Sequence, residues 1–148
     1  MKHILFIGLI AILFSACKKD DDINYDVIDE QLITEYLKDN NLEAQKHKSG
    51  LYYHIIDEGT GDKVYPFAFV DITYTGKLLD GTIFESNKLT ETPLHHLIKA
   101  WQIGIPMLRK GGKAILYCPS TLGYGGQASD KIPANSVLLF QVEVNDFK

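Results

Sequence analysis

The sequence predicts an α+β domain, preceded by an export segment and a helix. Three observations carry this reading. Val70, Ile72 and Tyr74 alternate with Asp71, Thr73 and Thr75, the period-two signature of a half-buried antiparallel strand. Further strand-like runs at Leu51–Ile56, Lys113–Cys118 and Ser136–Asp146 are short and separated by glycine-bearing turns. The segment Pro93–Ile105, with Leu97, Ile98, Trp101 and Ile105 at helical offsets, supplies one short helix among them.

Composition bounds the alternatives. A chain of 148 residues holds one modest domain and a tail, and its 45% hydrophobic content is enough for a packed core rather than wholesale disorder. Fifteen basic against 19 acidic residues give a formal charge of −4, which excludes a basic nucleic-acid footprint. Cys17 and Cys118 form neither a CxxC pair nor a four-ligand zinc set, so neither metal nor cofactor is expected.

From the N-terminus, Lys2 precedes an apolar run from Ile4 to Phe14, too short to span a membrane but suited to an export signal. The run ends in Leu13-Phe14-Ser15-Ala16-Cys17. This resembles a bacterial lipobox, with Phe14 in place of the usual leucine. The expectation is removal of residues 1–16 and lipidation of Cys17, which would hold the protein on a membrane without spanning it. Lys18-Lys19-Asp20-Asp21-Asp22 is a charged, solvated spacer, similar to tags that send some Gram-negative lipoproteins outward. Residues 17–49 carry nine acids and five bases against ten and nine in 50–148, so the acidic excess lies in the tether.

Ile28, Leu32, Ile33, Tyr36 and Leu37 then predict a helix from Val27 to Asp39, with Asp26 as its cap and Asn40-Asn41 as its end. Its narrow apolar stripe suits a spacer, a dimerisation face or a lid. A connector is expected through Gly50, followed by the Leu51–Ile56 strand and a loop over Asp57–Asp62.

The strand from Val70 reaches Leu79, and Asp80-Gly81 turns the chain back into Thr82–Glu85. A two-residue turn would place Tyr74 and Phe84 on opposite faces. A three-residue loop with Gly81 as a left-handed bulge residue pairs Leu78 with Thr82 and places them together, and this is the form expected. Pro106 ends the short helix, Gly111-Gly112 turns, and Cys118 is read as a small buried hydrophobe. His95-His96, taken as adjacent strand positions on opposite faces, is read as polar surface. Gly125-Gly126 lacks the sequence context of a phosphate loop.

Five segments occur in order: Val70–Gly76, Leu79–Ser86, Leu97–Trp101, Leu122–Gly125 and Ile132–Phe140. Together they resemble the FKBP-type peptidyl-prolyl cis-trans isomerases, the macrolide-binding immunophilins, over roughly Gly50 to Phe147. The resemblance implies an antiparallel sheet half-wrapped around the short helix, with an apolar pocket between. Tyr74, Phe84, Leu97, Ile98, Trp101, Tyr124, Ile132 and Phe140 match pocket positions, Trp101 as the floor. Glu85 stands where the family usually has Asp. The Ile98 N–H and the Tyr124 hydroxyl would hold substrate carbonyls. Also implied are rotation of X–Pro bonds in exported polypeptides without covalent chemistry, and possible macrolide ligands. The departures are Glu85, Ala100 in place of Gly, Lys131, and only twelve residues between Phe84 and Leu97. They keep open a second reading, a catalytically weak binding module or chaperone of the same fold.

Overall fold

The computed structural model describes residues 23–148. The expected signal segment, Cys17 and the Lys18–Asp22 spacer lie outside the described residues. In chain order the elements are α1 (Tyr25–Asp39), β1 (Gln45–Lys46), β2 (Tyr52–Asp57), β3 (Thr60–Lys63), β4 (Phe69–Leu78), β5 (Ile83–Pro93), α2 (Lys99–Gly104), β6 (Arg109–Lys110), β7 (Lys113–Cys118) and β8 (Leu138–Phe147). Six strands form one antiparallel sheet in the order β1-β2-β7-β8-β4-β5, and β3 pairs with β6. This is the α+β architecture the alternation predicts.

The period-two pattern decides which face each residue takes. Along β4, Val70, Ile72, Tyr74 and Gly76 are buried while their neighbours are not. Leu138, Phe140, Val142 and Val144 of β8 join them, as do Ala114, Leu116 and Cys118 of β7. Against this inner face lie Ala100, Trp101 and Ile105 from α2 and the turn after it. The other face is covered at one end only. There α1 lays Ile33 and Leu37 on Tyr52, Tyr117, Val137 and Leu139, which explains why β7 and β8 are buried on both faces locally. Of the two side chains, Ile33 is fully buried and Leu37 nearly so. Each such side chain contributes about 1.5–3 kcal/mol of burial.

The hairpin between β4 and β5 takes the bulged form. Gly81 N–H donates to Leu78 O at 3.0 Å and Leu78 N–H to Thr82 O at 2.9 Å, with Gly81 at φ +90°. Tyr74 and Phe84 therefore share the inner face, both buried. A further register shift follows, so that Gly76 faces Glu85 while Lys77 faces Ile83. Phe84 lies across Gly76, where an added methyl would run into its ring.

Several expectations need correction. The α1 cap is Asn24, whose Oδ1 accepts from Asp26 N–H at 3.1 Å, and the helix starts at Tyr25. It ends as expected, with Asn41 at φ +51° and Leu42 N–H returning to Leu37 O. Ile28 and Leu32 of its stripe stay exposed. The connector holds β1, and the Asp57–Asp62 loop holds most of β3. Both escaped notice because β1 is two polar residues and all of β3 is exposed, so no alternation marks them. The short helix is not continuous from Pro93: Leu94–His96 is a 3-10 turn, Leu97 and Ile98 are extended, and α2 begins at Lys99. Pro106 sits inside a following 3-10 turn, Ile105–Met107, which tolerates it near its start. His95 and His96 are on the first 3-10 turn, not a strand, and their rings meet edge to face at 4.3 Å, yet both are exposed as expected. Cys118 is fully buried.

Gly76→Ala tests this packing. It is expected to cost about 1–3 kcal/mol by displacing Phe84, read as a lower urea midpoint at unchanged slope. An unchanged midpoint would show that the ring moves aside freely.

Candidate active site

Side chains from five segments converge where β4, β5 and β8 meet α2. Tyr74 comes from β4, Glu85 and Leu89 from β5, and Leu97, Ile98 and Trp101 from the extended step into α2 and its first turn. Tyr124 comes from the loop after β7, and Phe140 from β8. With His96 they line one open cavity of about 220 Å³.

Its aromatic members hold one another on edge. Trp101 meets Tyr74 at 4.8 Å and Phe140 at 5.4 Å between ring centroids, with interplanar angles of 83° and 87°. Phe84 supports Phe140 from behind at 5.7 Å and 84°. Edge-to-face pairs of this kind add about 0.5–1.5 kcal/mol each beyond burial, and three of them fix the floor of the cavity. Trp101 is 3% exposed, and its indole N–H has no acceptor among the described residues. Tyr124, by contrast, is 41% exposed and stands at the mouth.

The rim is set by polar contacts. Gln102 of α2 donates through Nε2 to Leu97 O at 2.6 Å, pinning the extended Leu97–Ile98 step to the helix. The Ile98 carbonyl accepts from Trp101 N–H and Gln102 N–H, while its own N–H has no acceptor among the described residues. Burial, followed by the Glu85 carboxylate beside it, pushes the Tyr74 phenol well above its ordinary range. Burial and then Glu85 also raise the Tyr124 phenol. Both tyrosines therefore present neutral hydroxyls to the cavity.

Of the nine side chains expected here, Tyr74, Glu85, Leu97, Ile98, Trp101, Tyr124 and Phe140 line the cavity together. Phe84 sits one layer behind. Ile132 packs on the same core but not on the cavity wall. A tight turn holds it there, in which Ser129 N–H donates to Ile132 O and Ile132 N–H to Ser129 Oγ. Sequence reasoning missed Leu89 and His96, which lie in the shortened Ser86–His96 stretch, and Gln102, whose role is visible only in its contact. A larger groove of about 1010 Å³ opens elsewhere, between Leu42–Gln45 and the β2–β3 edge. Its lining mixes exposed polar and apolar groups without a stacked aromatic floor, so volume does not mark the site. Among the described residues no cluster of three metal-ligating side chains occurs, and no helix is long and apolar enough to cross a membrane.

Comparison with known proteins agrees with this geometry. Residues 61–145 match the family described as FKBP-type peptidyl-prolyl cis-trans isomerase. The chain belongs to that family. It is 38% identical over 110 residues to the FKBP-type peptidyl-prolyl cis-trans isomerase FkpA of Buchnera aphidicola subsp. Schizaphis graminum, a match covering 71% of this chain and 44% of the relative. The chain thus spans less than half the length of the curated relatives it matches. The crystal structure of FkpA from Escherichia coli superposes with a TM-score of 0.72 at 31% identity, covering 83% of this chain and 61% of that one. AtFKBP13 superposes at 0.66 and 30% identity, covering 72% of this chain and 99% of that one.

The Tyr74 environment can be measured directly. Tyr74 is expected to stay protonated through the ordinary tyrosine transition near pH 10, and Glu85→Gln to lower its titration by removing the adjacent negative charge. Ring-labelled NMR titration reads both. A Tyr74 transition that Glu85→Gln leaves unmoved would remove Glu85 from the hydroxyl's surroundings.

Proposed function

We propose that this chain is a peptidyl-prolyl cis-trans isomerase that turns X–Pro bonds within the cavity floored by Trp101. The observation that supports it most is the convergence of Tyr74, Trp101 and Phe140, edge on edge, beneath an opening large enough for a proline ring.

The chemistry asks for little more. Rotation about the amide loses resonance and crosses about 18–20 kcal/mol. The planar amide carries more charge separation than the twisted one, so a dry aromatic wall disfavours the ground state relative to the transition state. The cavity wall carries no Ser/His/Asp or Cys/His set, consistent with catalysis by binding alone. In this reading proline packs on Trp101 between Tyr74 and Phe140. The free Ile98 N–H and the Tyr124 hydroxyl take the flanking carbonyls, and Phe84 holds Phe140 in place. Glu85 reaches the cavity from the edge strand with one more methylene than the family's usual Asp, which sets the carboxylate further out. Ile132 supports the loop below Tyr124. Macrolide ligands of the family would enter the same cavity.

We also propose that the domain works on exported polypeptides, held by lipid at Cys17 on a bacterial membrane, the outer membrane facing the periplasm or cell surface. The lipobox-like Leu13–Cys17 and the charged spacer after it support this. A second reading, a binding module with weak catalysis, is favoured by one feature: residues 86–96 contain no Phe, Tyr or Trp, leaving Leu89 and His96 as that wall.

The full chain, kept soluble in detergent, is expected to accelerate cis-to-trans exchange in short X–Pro peptides. Trp101→Leu should lower kcat/KM at least about tenfold while remaining folded, a loss of ~1.4 kcal/mol of transition-state stabilisation. A folded wild type with no rate above background across several X residues would instead establish the binding module.

A further inference from the structure

One of the contacts that tie α1 to the rest of the chain leads toward the cavity. Asp29 is fully buried, although it is a carboxylate in the middle of a helix whose outer face is solvated. Its Oδ2 accepts from Ser120 N–H at 2.8 Å and from Ser120 Oγ at 2.7 Å, across 91 positions of sequence. Its Oδ1 has no partner among the described residues. One turn earlier, Asp26 Oδ1 accepts from Thr121 Oγ1 at 2.7 Å. Burying a carboxylate is costly, and two bonds to one residue do not offset it fully. An apolar residue would cover the sheet at lower cost, so Asp29 does something that covering alone does not require.

The loop it grips leads to Tyr124. Ser120 begins the 3-10 turn Ser120–Leu122 that follows β7. The same residue whose N–H and hydroxyl are held by Asp29 uses its carbonyl to accept from Gly123 N–H at 3.0 Å and Gly125 N–H at 2.8 Å. Those two amides bracket Tyr124. Gly125, at φ +57°, in turn accepts at its carbonyl from Asn135 N–H at 2.7 Å, closing the loop on the segment before β8. A hydrogen-bonded path thus runs from α1 through Ser120 to both sides of Tyr124, although α1 lines no part of the cavity.

We propose that Asp29 is a positioning residue: α1 latches the Tyr124 loop through Ser120 and so sets the height of the Tyr124 hydroxyl at the cavity mouth. The proposal rests on the isomerase reading for its kinetic consequence but not for its structural one. Without the carboxylate, the Ser120 N–H loses its acceptor and the turn loosens, shifting Tyr124 from the carbonyl it would hold. A displacement of this kind acts on substrate binding more than on the bond rotation itself.

The test uses the full chain with two readouts. In Asp29→Ala, hydrogen exchange at the Gly123 and Gly125 amides is expected to rise at least about tenfold, and kcat/KM for an X–Pro peptide to fall about tenfold, chiefly through KM. Asp29→Asn, which still accepts from Ser120, should recover most of both. In a Tyr124→Ala background, Asp29→Ala should change kcat/KM no further. Should Asp29→Ala fail to fold, Ser120→Ala, which removes only the hydroxyl donor, carries the test and is expected to show a smaller rise in Gly125 exchange. Unchanged exchange at Gly123 and Gly125 in a folded variant would overturn the latch, as would a kinetic loss that persists in full without Tyr124. A wild type inactive on peptides refutes the isomerase reading alone, since the exchange readout still decides the latch.

Discussion

The edge-on packing of Trp101 between Tyr74 and Phe140 is the constraint on which the rest of the domain depends. A tryptophan ring forms a cavity floor only if its neighbours hold it upright and dry, and the two rings that do so come from adjacent strands, β4 and β8. Their pairing places Gly76 opposite Phe140, and Tyr74 opposite Val142. Because side chains alternate, Tyr74 and Phe140 face the same side in this register, and a slip of one residue would turn one of them to solvent. The aromatic floor and the sheet register therefore specify one another.

The edge strand completes this arrangement by breaking its own regularity. The Gly81 bulge turns Phe84 inward behind Phe140, and the shift at Gly76/Lys77 then sets Glu85 opposite Gly76, where it reaches the cavity edge. A regular ladder would deliver one or the other. Bulges of this kind redirect side chains near sites, and here the second irregular step adds a charged rim to the buried support left by the first. Gly76 is the residue that permits it, since only a position without a side chain lets the Phe84 ring lie across β4. On the opposite side of the sheet, α1 adds a second, smaller core and, through Asp29, a buried contact to the loop after β7.

Much of this is legible in the sequence because it rests on local chemistry. Asp80-Gly81 marks the hairpin but suits two turn types, and the pocket that the resemblance implies, which needs Tyr74 and Phe84 on one face, selects the bulged one. The alternation of β4 announces itself through burial on one face, and the apolar run of β7 through local burial on both. What is not legible depends on tertiary contact. The offsets of Leu97, Ile98, Trp101 and Ile105 read as one helix within Pro93–Ile105, but a 3-10 turn and an extended step occupy its first half. Only the Gln102 amide, bonded to the Leu97 carbonyl, reveals why that step is stable. Asn24 and Asp26 both suit a helix cap, and Asp26 is instead taken by Thr121. Asp29 is one acid among many in an acidic segment, and nothing marks it until Ser120 is found against it. The pocket as a set was legible through resemblance, because single aromatics do not distinguish a wall from a core; Ile132 shows the difference.

Trp101 is the only tryptophan in the chain, so its emission reports on the cavity floor alone. The central claim is that proline seats on this ring. Titrating the full chain with an X–Pro peptide is predicted to change Trp101 fluorescence saturably, while the same peptide with alanine in place of proline leaves it unchanged. A wild-type chain whose emission responds equally to both peptides, or to neither, would contradict the account.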